Sequence, residues 1–152
     1  MPYVGPEPSL GVTKSFTKRQ VQAWLDERHR EHWVRQPGLR QAKLFVTPKG
    51  RSEKGLISLS RGDLRILVGL LTGHCALRYT LRLMEKSDTD ICRFCDLAVE
   101  TAEHVLCECE ALGRLCFHHL GNDVLQPEDI SRMATGNILN FVKEWWWRTL
   151  EN

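Results

Sequence analysis

Residues 92–109, CRFCDLAVETAEHVLCEC, hold four cysteines and a histidine at spacings that suit one metal ion. A structural zinc site takes four thiolate or imidazole ligands in a closed tetrahedron. Cys92-x2-Cys95 lets a tight turn aim two thiolates at one ion, and the eight residues Asp96–Glu103 bring the chain back to His104. The fourth ligand is either Cys107 or Cys109. His104 and Cys107, three apart, are neighbours on one helical face. His104 and Cys109 lie about 140° apart on a regular helix, so that pairing needs His104 at a frayed helix start. Spacing leaves the choice open. Isolated cysteines often serve as small buried apolar side chains, but CxxC followed so closely by His and Cys favours a metal. A redox-active CxxC would need a βαβ setting that this sequence lacks. Three thiolates and one imidazole leave no open position, so the expected cofactor is one structural zinc ion that supports the folding of a short loop.

The other chemistry-bearing side chains receive plainer expectations. Six cysteines without an N-terminal signal pattern argue for reduced thiols over a disulfide framework. Cys75 and Cys116 read as buried small hydrophobes. His74 reads as a capping or core histidine. His118 and His119 are adjacent and point apart on a helix, so they read as surface or partly buried. No His/Asp/Ser set has a catalytic motif, and no catalytic residue is expected.

The elements that position the cluster are mostly helical. Residues 1–15, rich in Pro and Gly, read as a linker. Residues 16–57 read as a basic helix and loop. Thr17 and Gln20 match a capping box, with Phe16 and Val21 as its hydrophobic staple. Val21, Trp24, Leu25 and Trp33 offer a partial apolar face, and Pro37-Gly38 stops the helix. The stretch 38–57 shows no sustained period and reads as a basic loop with a short strand at 43–47. A helical pair spans 58–86. Ser60 and Asp63 box its start, Leu64, Leu67, Val68 and Leu71 form a core-facing stripe, and Gly73 stops its first helix. Arg78 and Arg82 share one face of the second. The knuckle and a following helix occupy 87–121, with Val105, Cys109, Leu112, Cys116 and His119 in helical register and Gly121-Asn122 at the end. A last helix in 122–152 begins at Pro127, and Ile130, Met133, Ala134, Ile138, Phe141, Val142 and Trp145 form its buried face. Trp145, Trp146 and Trp147 cannot all face one core, and packing against the knuckle, or against domains outside this chain, accounts most simply for the cluster. The expected fold is a small, mostly α domain with an inserted single-zinc CCHC knuckle.

Charge is unevenly distributed. Residues 1–86 carry sixteen Lys and Arg against seven Asp and Glu, whereas residues 87–152 carry five against twelve. A basic half suits a polyanion, although the two halves can also pair with each other. Arg28, Arg30, Arg35, Arg40, Lys43, Lys49, Arg51 and Lys54 are the candidate phosphate contacts, which makes RNA or DNA the expected partner. No apolar run approaches the roughly 18 residues of a membrane span, and an intracellular setting, nucleus or cytoplasm, is expected.

The runs RGDLRILVGLLTGHCALRYTLRLM, CRFC and ETAEHVLCEC resemble the C-terminal region of insect jockey-type non-LTR retrotransposon polyproteins. In that family a TGH-containing helix precedes a CxxC…EH…C knuckle, after the reverse transcriptase and RNase H domains. VGPEPSLGV and WLDERHREHW look like the connector that follows RNase H. The resemblance covers nearly the whole chain and is most specific over residues 61–111. It implies Cys109 as the fourth ligand, because the family's last cysteine follows a glutamate after the histidine. It also implies binding of template RNA or target DNA during target-primed reverse transcription, with the other polyprotein domains as partners. The paired aspartates of a polymerase, the carboxylates of an RNase H and a complete endonuclease are all missing. The chain thus reads as a detached, nonenzymatic tail.

Overall fold

The computed structural model describes residues 11–48 and 53–150, with backbone alone at 53–54 and 147–150. The chain divides into two compact units at Gln36/Pro37.

Among its described residues the first unit has one helix, α1 (Lys14–Arg35). Its cap is Thr13, whose hydroxyl accepts from the Phe16 amide at 3.2 Å. Thr17, expected to be the cap, lies inside the helix and donates to the Thr13 carbonyl at 3.3 Å. A hydroxyl one turn upstream already answers the open amides of the first turn, so the Thr17 box is not needed. Arg28–Glu31 at 3.0 Å, Arg30–Glu27 at 2.6 Å and Gln22–Asp26 at 3.0 Å link neighbouring turns. No residue of α1 is buried, and Phe16, Val21, Trp24 and Leu25 are all exposed. The partial apolar stripe is too interrupted by charge to define a core face.

The second unit packs α2 (Arg40–Phe45), α4 (Arg61–Thr72), α6 (Gly113–Leu120), α7 (Pro127–Arg132) and α8 (Thr135–Leu150) around one core, with α3 (Glu53–Ile57) and α5 (Arg78–Leu83) beside them. The helix α2 meets α4 and α7, while α8 meets α4 and α6. Residues 38–48 therefore contain a helix rather than the expected loop and strand. Six residues are too few to show a period, yet Ala42 and Phe45, three apart, are both buried. Among the described residues no strand forms, and one isolated antiparallel bridge joins Ile91 to Val99.

Several punctuation marks hold as expected. The Ser60 hydroxyl accepts from the Asp63 amide at 3.1 Å to start α4. Gly73 (φ 80°) and Gly121 (φ 86°) end α4 and α6 in the left-handed region, where a Cβ is strained. The buried face of α4 is turned from the expected one. Leu67 is 0% exposed and Leu70 and Leu71 are buried, but Val68 is 47% exposed and Leu64 half-buried. The C-terminal segment is two helices, not one, because Met133 takes an extended ψ of 148°. The Asp129 carboxylate accepts from the Gln126 amide at 3.0 Å and fixes the start of α7. Ile130, Ile138, Phe141, Val142 and Trp145 are buried as expected, whereas Ala134 is exposed.

Candidate metal centre

Two turns and one widened helical turn build the site. In the first turn the amides of Phe94 and Cys95 face the Cys92 sulfur. The second follows Cys95, whose sulfur meets the amides of Leu97 and Ala98. Asp96 between them adopts φ 55°, a left-handed conformation that aspartate tolerates better than most residues. Cys92 N donates to Ala98 O at 2.7 Å, closing the hairpin around both ligands.

The third and fourth ligands depend on a π-helical turn. Thr101 starts this segment, accepting the His104 amide on its hydroxyl at 3.0 Å. Residues His104–Glu108 then form a π-turn in which Cys109 N donates to His104 O at 2.8 Å. The i→i+5 bond adds a residue to the turn, so positions 104 and 109 come to one side without fraying. Cys109 itself is extended (φ −73°, ψ 106°), and helix resumes only at Glu110. The expected continuous helical register through Val105, Cys109 and Leu112 is thus broken at the ligand.

One donor atom from each of Cys92, Cys95, His104 and Cys109 lies within 4.8 Å of all the others. Cys92 Sγ and Cys109 Sγ are 3.9 Å apart, and Cys95 Sγ is 3.3 Å from His104 Nε2. Zinc bond lengths of about 2.3 Å to sulfur and about 2.0 Å to nitrogen give tetrahedral edges of about 3.8 and about 3.5 Å. The four residues fit one metal ion. Cys92, His104 and Cys109 are buried and Cys95 is half-buried, beside a hollow of about 270 Å³ also lined by Leu97, Glu108 and Glu110. The His104 Nδ1 is buried, with the Glu108 carboxylate 3.7 Å away.

Burial opposes bare thiolates at two of the three cysteines. Burial pushes the Cys109 thiol up to about 12, and the charge of Cys92 adds to that. Burial likewise raises Cys92, against the pull of its two amides. Burial would raise Cys95 too, but the Leu97 amide, His104 and Cys92 outweigh it and bring the thiol to about 7. A divalent ion removes the cost of placing three sulfurs together as thiolates. Cys107 is not part of the cluster. It lies in the apolar core, and burial raises its thiol to about 12.

The knuckle is anchored to the helical body through Phe94, which packs edge-on against Trp145 with ring centroids 5.6 Å apart. Trp145 is 2% exposed and Trp146 half-buried, so packing against the knuckle explains the first tryptophan of the cluster. Cys116 is buried and Cys75 half-buried, each with its thiol raised to about 11, chiefly by burial. His74 is exposed, contrary to a core role, and its Nδ1 contacts Thr72 Oγ1 at 3.1 Å. His119 is half-buried against Glu144 at 2.6 Å, and His118 is exposed.

Sequence reasoning missed Glu100, a carboxylate with 0% exposure that lies against Arg93 between the first two ligands. The signal was a charge of each sign inside the ligand loop, at 93 and 100.

The candidate phosphate contacts are dispersed. Arg28, Arg30 and Arg35 lie on α1 in the first unit, with Arg28 and Arg30 ion-paired to Glu31 and Glu27. Arg40 and Lys43 are exposed on α2 in the second unit. Lys49 and Arg51 lie outside the described residues, and Lys54 falls on α3 where the backbone alone is described. Among the described residues no helix is long and apolar enough to cross a membrane. No protein-family model, curated protein or solved structure matches the chain.

Proposed function

We propose that this chain is a nonenzymatic, zinc-stabilised module that binds single-stranded RNA or DNA, a C-terminal piece of a retrotransposon polyprotein of the jockey type. The observation that carries the metal half is the closed set of four donor atoms within 4.8 Å, three of them on buried residues. Three sulfurs and one imidazole nitrogen suit zinc over harder ions, which take oxygen ligands. When bound, the ion supplies a fixed cross-link between two loops. The chain's own part is to orient the ligands through the amides around Cys92 and Cys95 and to exclude water with the core.

The nucleic-acid half rests on the resemblance and on the basic excess of residues 1–86. Arg40 and Lys43 are exposed on α2 and can contact phosphates, and Arg35 is exposed on α1. Fluorescence anisotropy with a labelled single-stranded RNA tests it. Three or more phosphate contacts would lower affinity about tenfold or more between 50 and 200 mM salt. No binding at low salt, or binding indifferent to salt, would refute it.

A second reading is a docking module that sits on the polymerase body or self-associates. It is favoured by Phe16, Val21, Trp24 and Leu25, all exposed on α1. Sedimentation at rising concentration separates the two, since salt-insensitive self-association belongs to docking alone.

A further inference from the structure

Glu100 is the one carboxylate among the buried polar side chains of the described residues. A carboxylate at 0% exposure persists only where hydrogen bonds replace its water. Arg93 meets both its oxygens, with Nη2 2.7 Å from Oε1 and Nε 2.9 Å from Oε2. The Arg93 backbone amide donates to Oε2 at 2.8 Å. The remaining partner lies elsewhere in the sequence, where the Arg78 amide donates to Oε1 at 2.9 Å. Arg78 is the first residue of α5, and Leu77 before it offers no capping side chain. The next amide, that of Tyr79, donates to the Glu100 backbone carbonyl at 3.4 Å. Residue 100 thus answers the first two open amides of α5 and also holds the turn that carries Cys92 and Cys95.

We infer that Glu100 is a positioning residue that couples occupancy of the metal centre to the formation of α5, with Arg93 as the link. The coupling rests on the metal centre proposed above. A bound ion fixes Cys92 and Cys95, and Arg93 between them is fixed with them. Its amide and guanidinium then hold Glu100 in place as the cap of α5. Without the ion the turn loosens and the buried carboxylate loses its counter-charge. The nearest way to rehydrate it is to open the start of α5. That helix has six residues, too few to persist alone. Two further tethers run to the same side of the knuckle, Arg78 to Ile91 O at 3.0 Å and Arg82 to Ser87 O at 3.5 Å, and a third runs from the Thr80 hydroxyl to Gly73 O at 3.2 Å. The face of α5 that exposes Tyr79, Arg82 and Leu83 is therefore more firmly ordered when the metal site is filled.

Hydrogen exchange on the full chain, with and without added zinc, tests the coupling. Zinc should slow exchange over 78–83 more than over α8. Glu100→Gln keeps the shape but loses the charge. It should weaken zinc affinity by about 10–100-fold, as loss of a partner behind the ligands does, and leave 78–83 fast-exchanging even when zinc-loaded, with α6 and α8 still protected. The double change Arg93→Met with Glu100→Gln removes both charges and should keep α6 and α8 protected without regaining the zinc response of α5. Zinc uptake with no change over 78–83, or a Glu100→Gln chain that binds zinc as tightly as the parent, would overturn the coupling. A parent chain that takes up no zinc by mass would overturn the metal centre itself.

Discussion

In α1, twenty-two residues run as helix without one buried side chain, whereas α4 buries four of twelve and α2 two of six. The first is held by the Thr13 cap and by weak, solvent-screened pairs three or four residues apart. The second is held by a shared core into which Cys92 and Cys109 are built, so two of the four candidate metal ligands are also core residues. One unit's order is local and sensitive to salt; the other's is cooperative and sensitive to metal. Losing the proposed metal should therefore destabilise the second unit, most at the knuckle and α5, and leave the helical signal of α1 largely intact.

The largest expected effect comes from ligand removal. Cys92→Ser should abolish metal binding and lower the melting temperature of the 37–152 unit to that of the chelator-treated parent, read by thermal melts with and without chelator. A variant that melts together with the metal-loaded parent would break the contrast between the units. Next is Trp145→Ala, which removes the ring that meets Phe94 at the knuckle. It should cost about 3–5 kcal/mol in denaturant unfolding, a large share of a domain's stability. Leu67→Ala and Val68→Ala sharpen the account of α4. The first should cost about 2–5 kcal/mol and the second less than about 0.5, because one is buried and the other exposed. Equal costs would mean that the buried face of α4 is misplaced.

The smallest effects concern helix ends. Thr13→Ala should lower helicity of α1 by about 1 kcal/mol at its cap and leave the melting of the 37–152 unit unchanged. Asp63→Asn removes the carboxylate held 2.6 Å from Lys143 Nζ. Hydrogen bonds from Lys143 and Ser60 keep that carboxyl below the usual carboxylate range. A lowered folded value gives stability that is present above the unfolded pKa and lost as pH falls through the folded one. The variant should thus melt slightly below the parent at neutral pH and together with it in strong acid. A gap that persists in acid would assign the loss to something other than the ion pair.

The legible parts of the fold were those set by single residues. Ser60, Gly73 and Gly121 marked helix ends because a hydroxyl cap or a left-handed φ is a local requirement. The ligand quartet was legible from CxxC spacing and a family resemblance, but not from helical geometry. A regular helix separates 104 from 109, and only the π-turn joins them. Tertiary context decided the rest. The helix α2 is too short for periodicity to reveal, and the break at Met133 follows no proline or glycine. Glu100 was illegible because its four partners come from Arg93 and from the start of α5, twenty-two residues upstream. A glutamate in a polar loop reads as exposed until the fold supplies those donors.

The identity of the fourth ligand bears most directly on the central claim. Native mass spectrometry of zinc-loaded Cys109→Ser and Cys107→Ser gives the test. One zinc per chain should remain in Cys107→Ser and none in Cys109→Ser, because Cys109 joins the quartet and Cys107 lies in the core. Zinc retained by Cys109→Ser and lost from Cys107→Ser would contradict the account.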